Sequence, residues 1–467
     1  MLSKRLLKQF NRPDTHLVIS GYPVRGGHDN NYGISWYTKE TIGPIAQKKN
    51  VRFVVLAETN GHNEPHVYQD GHILVLRVFD QRRLTVYPSI LKWLSVFNKI
   101  DKVYVHSEFA ANGGIKNFAF LIPFLTLIKI NGRKISYFAH NFIESFDTIS
   151  GHFNFKKGSL KLKTLNTLVY FYNHVLTKLV DKVIVLDDAI KQRVQKYVSS
   201  DRIISFPISI KIPSETISKN KARAKLNIKH DEKVLLYFGF VTWYKGADWL
   251  INQVSQYLKK NPKSKIRLIV AGGEAHSLRD KRYYQKYYRT QLEKASKNEK
   301  IIITGFVPEK EIGKYFAAAD LVVYPYRGLI GASGSLSYAL SYNKPFMLGP
   351  ELGGILNSSD IKKALNEAKL KTDVLIFKLN KSGFAKVINT LGNESKLAMI
   401  SRLSKRIARL RDYEVVMESY YTQIFTENNY NVPIQNTISQ FIASRIENLF
   451  VRIKSQYAYL TIKNEAK

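Results

Sequence analysis

Cysteine is absent from the whole sequence of 467 residues. Disulfide bridges and thiolate metal sites are therefore excluded, and a chain without thiols suits a reducing compartment. The sequence also lacks an uninterrupted run of roughly 18 apolar residues, which a membrane-spanning helix requires. The nearest such run, Phe118–Ile130, is interrupted by Pro123 and Lys129, so we predict a buried helix there. Because the basic N-terminal stretch has no apolar segment typical of a secretion signal, we expect a cytoplasmic protein.

Acidic residues are scarce: there are 37 Asp and Glu against 72 Lys and Arg, a formal net charge of +35. This surplus predicts an anionic partner, which is a nucleic acid, a membrane surface or a phosphorylated substrate. Between positions 109 and 180 the only acids are Glu144 and Asp147. In the same stretch apolar residues recur at helical spacing among lysines, at Leu165, Leu168, Val169, Tyr172, Leu176 and Leu179. This segment is either a helix that binds an anionic membrane or a core-facing helix with a solvated basic face.

The length and the order of apolar runs predict two α/β domains. A chain of 467 residues is too long for one core, and its 45% hydrophobic content suits a folded protein. Short β-rich runs alternate with helical stretches, which is typical of a parallel sheet covered on both faces. The runs of the first series begin near positions 16, 51, 72, 102, 134, 182 and 203, and a second series begins at Val234. A linker near residue 213 separates the two series.

Three segments carry a resemblance to a known family: Val234–Ile251, Ile266–Glu274 and Ile301–Pro345. Together they resemble the C-terminal, donor-binding half of a GT-B glycosyltransferase, most closely glycosyltransferase family 4. The resemblance implies two Rossmann-like domains with parallel sheets that face each other across a cleft, plus a C-terminal helical extension. The implied boundaries are 1–212 for the acceptor-binding domain, 213–411 for the nucleotide-sugar-binding domain, and 412–467 for a crossover helix and a basic amphipathic tail.

A diphosphate-binding site is predicted in the second domain. Gly331, Ser333 and Gly334 let the main chain approach closely, and a helix that begins at about Ser335 would present its N-terminus to an anion. By the resemblance, Lys245 is the lysine that binds the diphosphate. Arg327, on the loop before the Ser-Gly turn, could add a guanidinium.

The resemblance also assigns the nucleobase and first-domain contacts. The turn that holds Phe306 and Val307 matches the family segment whose main chain meets the nucleobase, which leaves the choice between UDP and GDP open. In the first domain Gly26 and Gly27 follow the first strand, where α/β sheets collect ligands. His140 follows another strand and would line the cleft as a catalytic residue beside Lys245. Glu144 would orient its loop, and His106 is a further strand-end candidate.

The sequence departs from the family at the two glutamates that usually flank the Ser-Gly helix. Ile330 and Tyr338 stand in those positions, so sugar identity stays open. A retaining transferase needs no acceptor-side base, since the leaving phosphate can take the proton while Lys245 stabilises it. An inverting one would need a base, for which the candidates are His140, Glu144, Asp29 and His28.

The lead hypothesis is a peripheral-membrane glycosyltransferase of polysaccharide biosynthesis. It would move a sugar from a nucleotide-sugar donor to a lipid-linked or surface-polysaccharide acceptor at the cytoplasmic face of the plasma membrane, retaining the anomeric configuration. An anionic membrane surface is the expected partner. No cofactor is expected beyond the donor, and no metal, because no Asp-x-Asp pair follows a strand. The rival hypotheses are a non-catalytic partner of an active transferase and a nucleic-acid-binding protein, and the second lacks any recognisable nucleic-acid motif.

Overall fold

Two separate β-sheets organise the chain in the computed structural model. The structure describes residues 2–24, 33–59, 66–80, 83, 85–107, 115–275 and 278–426. The first sheet has eight strands and the second has five, and both lie within one compact unit, residues 1–426. The predicted fold class, two Rossmann-like α/β domains, is confirmed.

The first sheet has the strand order β3-β4-β2-β1-β5-β6-β7-β8. Its strands are β1 Thr15–Ile19, β2 Arg52–Glu58, β3 Val67–Asp70, β4 Ile73–Phe79, β5 Lys102–Ser107, β6 Lys134–Ala139, β7 Lys182–Val185 and β8 Ile203–Ser205. Every pair is parallel except β3 with β4, and β3 was not predicted from the sequence. A tight turn at Gly71, where φ is +59°, joins these two strands, and so short a connection permits only an antiparallel neighbour.

The second sheet is parallel throughout, with the order β11-β10-β9-β12-β13. Its strands are β9 Lys233–Phe238, β10 Ile266–Ala271, β11 Ile301–Ile303, β12 Leu321–Tyr324 and β13 Phe346–Leu348. The central strand β9 is buried from Val234 to Tyr237, because helices cover both faces of the sheet. This burial explains why the sequence shows continuous apolar runs there rather than alternation.

Helices flank both sheets. Those of the first domain are α1 Lys4–Phe10, α2 Gly33–Lys48, α3 Val86–Val96, α4 Ile115–Ile130, α5 Leu160–Leu179 and α6 Asp188–Val194, with 3-10 turns at Ser150–Phe153 and Ser200–Arg202. Those of the second are α7 Lys219–Lys225, α8 Ala247–Lys260, α9 Arg282–Ser296, α10 Glu309–Ala318, α11 Gly334–Ser341, α12 Pro350–Gly353, α13 Ser359–Glu367, α14 Lys381–Leu391 and α15 Glu394–Leu410, with 3-10 turns at Gly354–Asn357 and Thr372–Val374.

The chain returns to the first domain after α15. Asp412 forms a bridge with Ile210, and α16 Tyr413–Tyr420 with the π-helical turn Tyr421–Phe425 follows. Buried side chains of this segment pack against the first sheet, namely Val416, Met417, Tyr420, Ile424 and Phe425. Ion pairs from Lys48 to Glu414 and from Lys49 to Glu418 reinforce the contact with α2. The rest of the predicted basic tail, residues 427–467, lies outside the described residues.

Helix α4 is only half buried, which corrects the prediction of a buried helix. Leu121, Phe124, Leu125 and Ile128 belong to the core of the first domain. On the opposite face Phe120 is 55% exposed, Leu127 46% and Ile130 68%. These three positions follow the helical repeat, so the helix is apolar on its outer side as well as its inner side. Within the described part of the chain, no helix combines the length and apolar character needed to cross a membrane.

Candidate functional site

Three residues of the second domain converge where β9 ends. Gly239 follows this strand with a φ of +129°, a conformation that only glycine adopts readily. A Cβ atom at this position would lie 2.8 Å from the Ser335 Oγ and 3.2 Å from the Lys245 Nζ. The hydroxyl and the ammonium group therefore border the same small space beside the main chain. The structure thus brings Lys245 and Ser335, both predicted as donor-site residues, together.

The loops around this point also touch through main-chain atoms. A Cβ at Gly272 would fall 1.9 Å from the carbonyl oxygen of Gly239, and one at Gly246 would fall 1.9 Å from that of Pro325. Neither clash could be relieved by moving a flexible side chain. These glycines explain how the ends of β9, β10 and β12 approach each other at one edge of the sheet, where open α/β sheets bind ligands.

Helix α11 points its N-terminus into this edge. It begins at Gly334, one residue earlier than expected, because Ser333 is its N-cap and the Ser333 Oγ accepts a hydrogen bond from the Leu336 N–H at 3.2 Å. Gly334 is exposed, and no heavy atom within 4 Å would meet a Cβ there. The first main-chain N–H groups of the helix, together with its dipole, are suited to bind an anion.

Arg327 is held by a carboxylate in the same domain. Its Nη1 and Nη2 atoms lie 2.7 and 2.9 Å from the two oxygens of Asp248, and Nη1 also donates to the Trp243 carbonyl oxygen at 2.7 Å. The guanidinium lies 4.9 Å from the centroid of the Trp243 ring system. These contacts fix the loop that leads to Lys245. The predicted contact of Arg327 with a phosphate stays a prediction.

The predicted nucleobase turn lies beside β10 and β11. Phe306 is 49% exposed, whereas Val307 is buried at 8% exposure. Gly273 approaches the turn so closely that a Cβ there would lie 2.7 Å from the Phe306 nitrogen. Gly305, with a φ of +75°, makes the turn possible. The Phe306 side chain is thus exposed at this turn, while Val307 packs inward.

The segment of the first domain that contains His140 contacts the loop of the second domain that leads into α11. Asn141 and Gly331 form an antiparallel bridge, and the Phe142 N–H donates to the Ile330 carbonyl oxygen at 2.6 Å. The approach is tight, since a Cβ at Gly331 would lie 2.1 Å from the His140 carbonyl oxygen. The main chain of the His140 loop thus lies directly against the segment that leads into α11.

The His140 ring points back into the first domain. Its Nε2 atom lies 3.0 Å from the Nδ1 atom of His106, and its ring meets Tyr37 edge-to-face at 4.9 Å. Burial lowers the pKa of His140 to about 3 and, with the neighbouring His140, holds the pKa of His106 well below its usual value. Both imidazoles are therefore neutral at physiological pH, and one donates to the other. The catalytic assignment of His140 stays a prediction, and its described contacts suit a positioning role.

Other candidates from the sequence have different surroundings. Glu144 forms an ion pair with Lys196. Gly26, Gly27, His28 and Asp29 lie outside the described residues. Among the residues that the structure describes, no group of three His, Asp or Glu side chains is arranged to hold a metal ion.

Apolar packing surrounds the two residues that replace the family's glutamates. Ile330 packs with a small cluster that includes Phe146 and Ile149 of the first domain. The Tyr338 ring meets Phe238 at 5.2 Å, and burial raises its pKa. At these two positions the structure therefore has side chains packed against apolar neighbours instead of two carboxylates.

A contact across the domains was missed in the sequence. The main chain at Gly151 packs closely against the Trp243 side chain, because a Cβ at Gly151 would lie 2.4 Å from the indole ring. The adjacent His152 meets Tyr244 edge-to-face at 5.0 Å, next to Lys245. Burial, and then the charge of Lys245, lower the pKa of His152 to about 4. The histidine in this 3-10 turn carries no sequence signal of its own.

Comparison with known proteins agrees with this geometry. Residues 218–335 match the family described as group 1 glycosyl transferases. The chain is 26% identical over 239 residues to the Bacillus subtilis protein YtcC, whose name describes a glycosyltransferase, covering 50% of this chain and 55% of that protein. It is 28% identical over 104 residues to the Methanocaldococcus jannaschii glycosyltransferase MJ1607, covering 22% of this chain and 24% of that protein. The chain thus spans about half or less of the length of these relatives.

Solved structures match nearly the whole fold at low sequence identity. Sucrose-phosphate synthase from Thermosynechococcus elongatus superposes with a TM-score of 0.64 at 14% identity, over 88% of this chain and 99% of that chain. Anabaena HepE in complex with UDP-glucose superposes with a TM-score of 0.61 at 16% identity, over 88% of this chain and 100% of that chain. The chain therefore has the GT-B glycosyltransferase fold, and its residues 218–335 carry the signature of the group 1 glycosyl transferases.

Proposed function

We propose that this protein is a glycosyltransferase that takes its sugar from a nucleotide-diphosphate donor, with the diphosphate bound between Lys245 and the N-terminus of α11. The observation that carries the proposal is the convergence of the Lys245 Nζ and the Ser335 Oγ on Gly239, beside that helix terminus. A cation and a helix N-terminus favour a phosphate group. UDP is the first donor nucleotide to test, because HepE, which shares the fold, was crystallised with UDP and with UDP-glucose.

The same geometry supports a retaining transfer without an acceptor-side base. When the bond between the sugar and the diphosphate breaks, negative charge develops on the leaving phosphate. Lys245 and the α11 N–H groups would stabilise that charge, and the phosphate oxygen would take the proton of the acceptor hydroxyl. His140 is neutral and turned toward His106, so it would support the cleft wall rather than carry charge to the phosphate.

A turnover assay tests this function. The purified chain is incubated with UDP-, GDP-, ADP- and CMP-linked sugars together with a lipid extract, and release of the free nucleotide is measured. We expect release from one donor, stimulated by the extract and lost in Lys245→Ala. Lys259→Ala, which removes a lysine from the far end of α8, is the matched control and should keep full activity. Release that persists in Lys245→Ala would contradict the proposed donor site.

We further propose that the acceptor is lipid-linked, or an otherwise surface-bound polysaccharide, and that α4 and α5 dock on the anionic cytoplasmic face of the plasma membrane. Of the large hydrophobic side chains exposed in the described chain, seven lie on these two helices: Phe120, Leu127, Ile130, Leu160, Leu168, Tyr170 and Phe171. The helices pack together through Phe118 and Tyr172, whose rings stack at 4.7 Å. Exposed apolar side chains concentrated in this way are typical of an interaction surface.

The charge near these helices favours an anionic lipid surface as the occupant. Exposed lysines accompany the apolar side chains of α5 and the turn before it, at Lys156, Lys157, Lys161, Lys163 and Lys178. No Asp or Glu occurs anywhere in α4 or α5. Lysines beside exposed apolar residues bind anionic headgroups while the apolar residues enter the interface.

Vesicle flotation tests the docking. We expect the chain to float with vesicles that contain phosphatidylglycerol and to remain below with pure phosphatidylcholine. Phe120→Ser with Leu168→Ser should abolish flotation, while Leu292→Ser, an exposed leucine on α9, should not. Equal flotation with both vesicle types, or full flotation of the double variant, would contradict the proposal.

A further inference from the structure

A 3-10 turn of the first domain packs against the loops that follow β9 and β12 in the second domain. The turn is Ser150–Phe153, and its Gly151 lies so close to the Trp243 side chain that no Cβ would fit between them. A second close approach lies beside it, since a Cβ at Gly328 would fall 2.6 Å from the Ile149 Cγ2 atom. A glycine from each domain therefore allows the turn to lie directly on the second domain.

The main chain of this turn is fixed by its own hydrogen bonds. The His152 N–H donates to the Ile149 carbonyl oxygen at 2.9 Å, and the Phe155 N–H donates to that of Ser150 at 2.9 Å. Asn154 ends the turn with a φ of +56°, a left-handed conformation that asparagine adopts more readily than most residues. The main chain therefore sets the position of His152, independently of what its ring binds.

The His152 ring lies among aromatic side chains beside Lys245. It meets the Tyr244 ring edge-to-face at 5.0 Å, and Tyr244 meets Tyr326 at 6.1 Å. The Lys245 Nζ lies 5.8 Å from the centroid of the same Tyr326 ring. Within the part of the chain that the structure describes, the partly buried imidazole of His152 takes part in no hydrogen bond. Since polar groups in such surroundings normally have a partner, this ring is suited to receive one from a ligand.

The charges of the donor site leave room for a further cation. Each of the two phosphates of a nucleotide sugar carries a negative charge, whereas Lys245 supplies one positive charge and the N-terminus of α11 roughly half of one. The charge of Arg327 is already balanced by Asp248, whose two oxygens accept from its two terminal nitrogens. A protonated imidazole beside Lys245 would complete the balance.

Resting on the function proposed above, we propose that His152 is a phosphate-binding residue of the donor site, which takes up a proton from solvent when the nucleotide sugar binds. The ring N–H formed in this way would donate a hydrogen bond to a phosphate oxygen on the Lys245 side of the diphosphate. The diphosphate would then be held by both domains, because the histidine belongs to the first domain and the lysine to the second.

The electrostatics of the free site give the direction of the proton transfer. Burial, and then the charge of Lys245, lower the pKa of His152 to about 4, so the ring is neutral at physiological pH. A phosphate within hydrogen-bond distance favours the protonated ring and raises its pKa. Proton uptake therefore accompanies binding, and affinity should rise as the pH falls from about 8 to about 6.

Other groups near the turn should not produce this signal. The charged and titratable residues on the elements packed against it, besides Lys245, are Tyr244, Tyr326, Asp147, Lys161 and the Arg327–Asp248 pair. Carboxylates, phenols, ammonium groups and guanidinium groups ordinarily titrate outside the range from about pH 6 to about pH 8. Variants of the histidine can therefore identify the group that takes up the proton.

Calorimetry of the full chain with UDP-glucose and GDP-mannose tests the proposal. The diphosphate of a nucleotide sugar takes up no proton near neutral pH, so any proton is taken up by the protein. Titrations at about pH 6.5 in PIPES and in bis-Tris, whose ionisation enthalpies differ, measure that uptake. We expect about 0.3 proton or more per ligand bound, and at least about three-fold higher affinity at about pH 6 than at about pH 8.

The variants separate proton uptake from packing. His152→Phe keeps a ring against Tyr244, and His152→Gln keeps a hydrogen-bonding group without the charge. Both should lose the uptake and the pH dependence. The control His230→Gln, at an exposed position, should keep both. UDP and GDP serve as second probes and are compared between the wild type and the variants, because their terminal phosphate itself titrates.

Three results would overturn this assignment. If the nucleotide sugars or nucleotides bind and the wild type takes up no more protons than the His152 variants, the histidine is not a phosphate ligand while the proposed function stands. If uptake persists in both His152 variants, another group takes up the proton. If both variants weaken binding equally at the two pH values, the histidine acts only by packing. Failure of all four probes to bind a folded chain would reject the proposed function as well.

Discussion

The Lys245 Nζ and the Ser335 Oγ meet beside Gly239, at 3.2 and 2.8 Å from the point where a side chain at that residue would begin. Ninety positions separate the lysine from the serine in the chain, and the parallel arrangement of β9 and β12 brings their loops to the same edge of the sheet. The space between them is kept open by a residue that has no side chain. The first prediction concerns that glycine.

Gly239→Ala should remove nucleotide binding. Its Cβ would occupy the space between the ammonium and hydroxyl groups, and its φ of +129° would add strain of about 1–3 kcal/mol. We expect at least about ten-fold weaker binding in calorimetry. Gly132→Ala is the matched control, because Gly132 also has a positive φ, of +75°, but no atom within 4 Å of its Cβ position. That variant should lose stability and keep binding; loss of binding in both would argue for a general effect of strain.

Arg327 and Asp248 should behave as a unit. Because both guanidinium nitrogens bind the two carboxylate oxygens, Arg327→Ala and Asp248→Asn are expected to weaken nucleotide binding to a similar, moderate extent by loosening the loop before Lys245. A double-mutant cycle on the affinity should give a coupling energy of about 1 kcal/mol or more. If Arg327→Ala weakens nucleotide binding much more than Asp248→Asn does, and the cycle shows no coupling energy, Arg327 instead contacts the phosphate directly.

Buried histidines should make the fold sensitive to acid. Burial, then Lys102, lowers the pKa of His16 to about 3, and burial does the same for His140. A folded-state pKa below the unfolded value of about 6.5 contributes stability above that value, which is lost as the pH falls toward about 3. Urea denaturation from about pH 7 to about pH 4 should therefore show a steady loss. His16→Phe should make the loss shallower, whereas the exposed His230→Gln should not.

An ion network that links the end of α15 to both domains should be important for stability. Arg411 is 2% exposed and lies between Asp360 of α13 and Asp187 at the start of α6, and Ser358 donates to Asp187 at 3.0 Å. Arg411→Ala would leave the buried carboxylate of Asp187 and the partly buried carboxylate of Asp360 without their cation, and we expect a loss of about 3–5 kcal/mol in chemical denaturation. Arg402→Ala, at an exposed position of α15, should change stability by less than about 0.5 kcal/mol.

The sequence was most informative about elements that are buried on both sides. Strands such as β9 and β12 are continuous apolar runs because helices cover both faces of the sheet. Their existence and their positions along the chain could therefore be predicted. The antiparallel strand β3 was not predicted, since a four-residue edge strand has little apolar signal. The prediction that α4 is a buried helix was wrong because apolar composition does not distinguish a core face of a helix from an exposed one.

The site was predictable only in part, for a different physical reason. Lys245 and Ser335 could be assigned because each follows its own strand in a known pattern. The contact of His106 with His140 and the pairing of Arg327 with Asp248 depend on residues far apart in sequence. No local pattern records which long side chain finds which partner once the strands are aligned.

A calorimetric titration of the folded chain with UDP, GDP, ADP and CMP, repeated with Lys245→Ala, tests the donor site most directly. The geometry around Gly239 predicts saturable binding of one nucleoside diphosphate and at least about a ten-fold loss in the variant. Binding of none of these nucleotides, or equal binding by Lys245→Ala, would contradict the account.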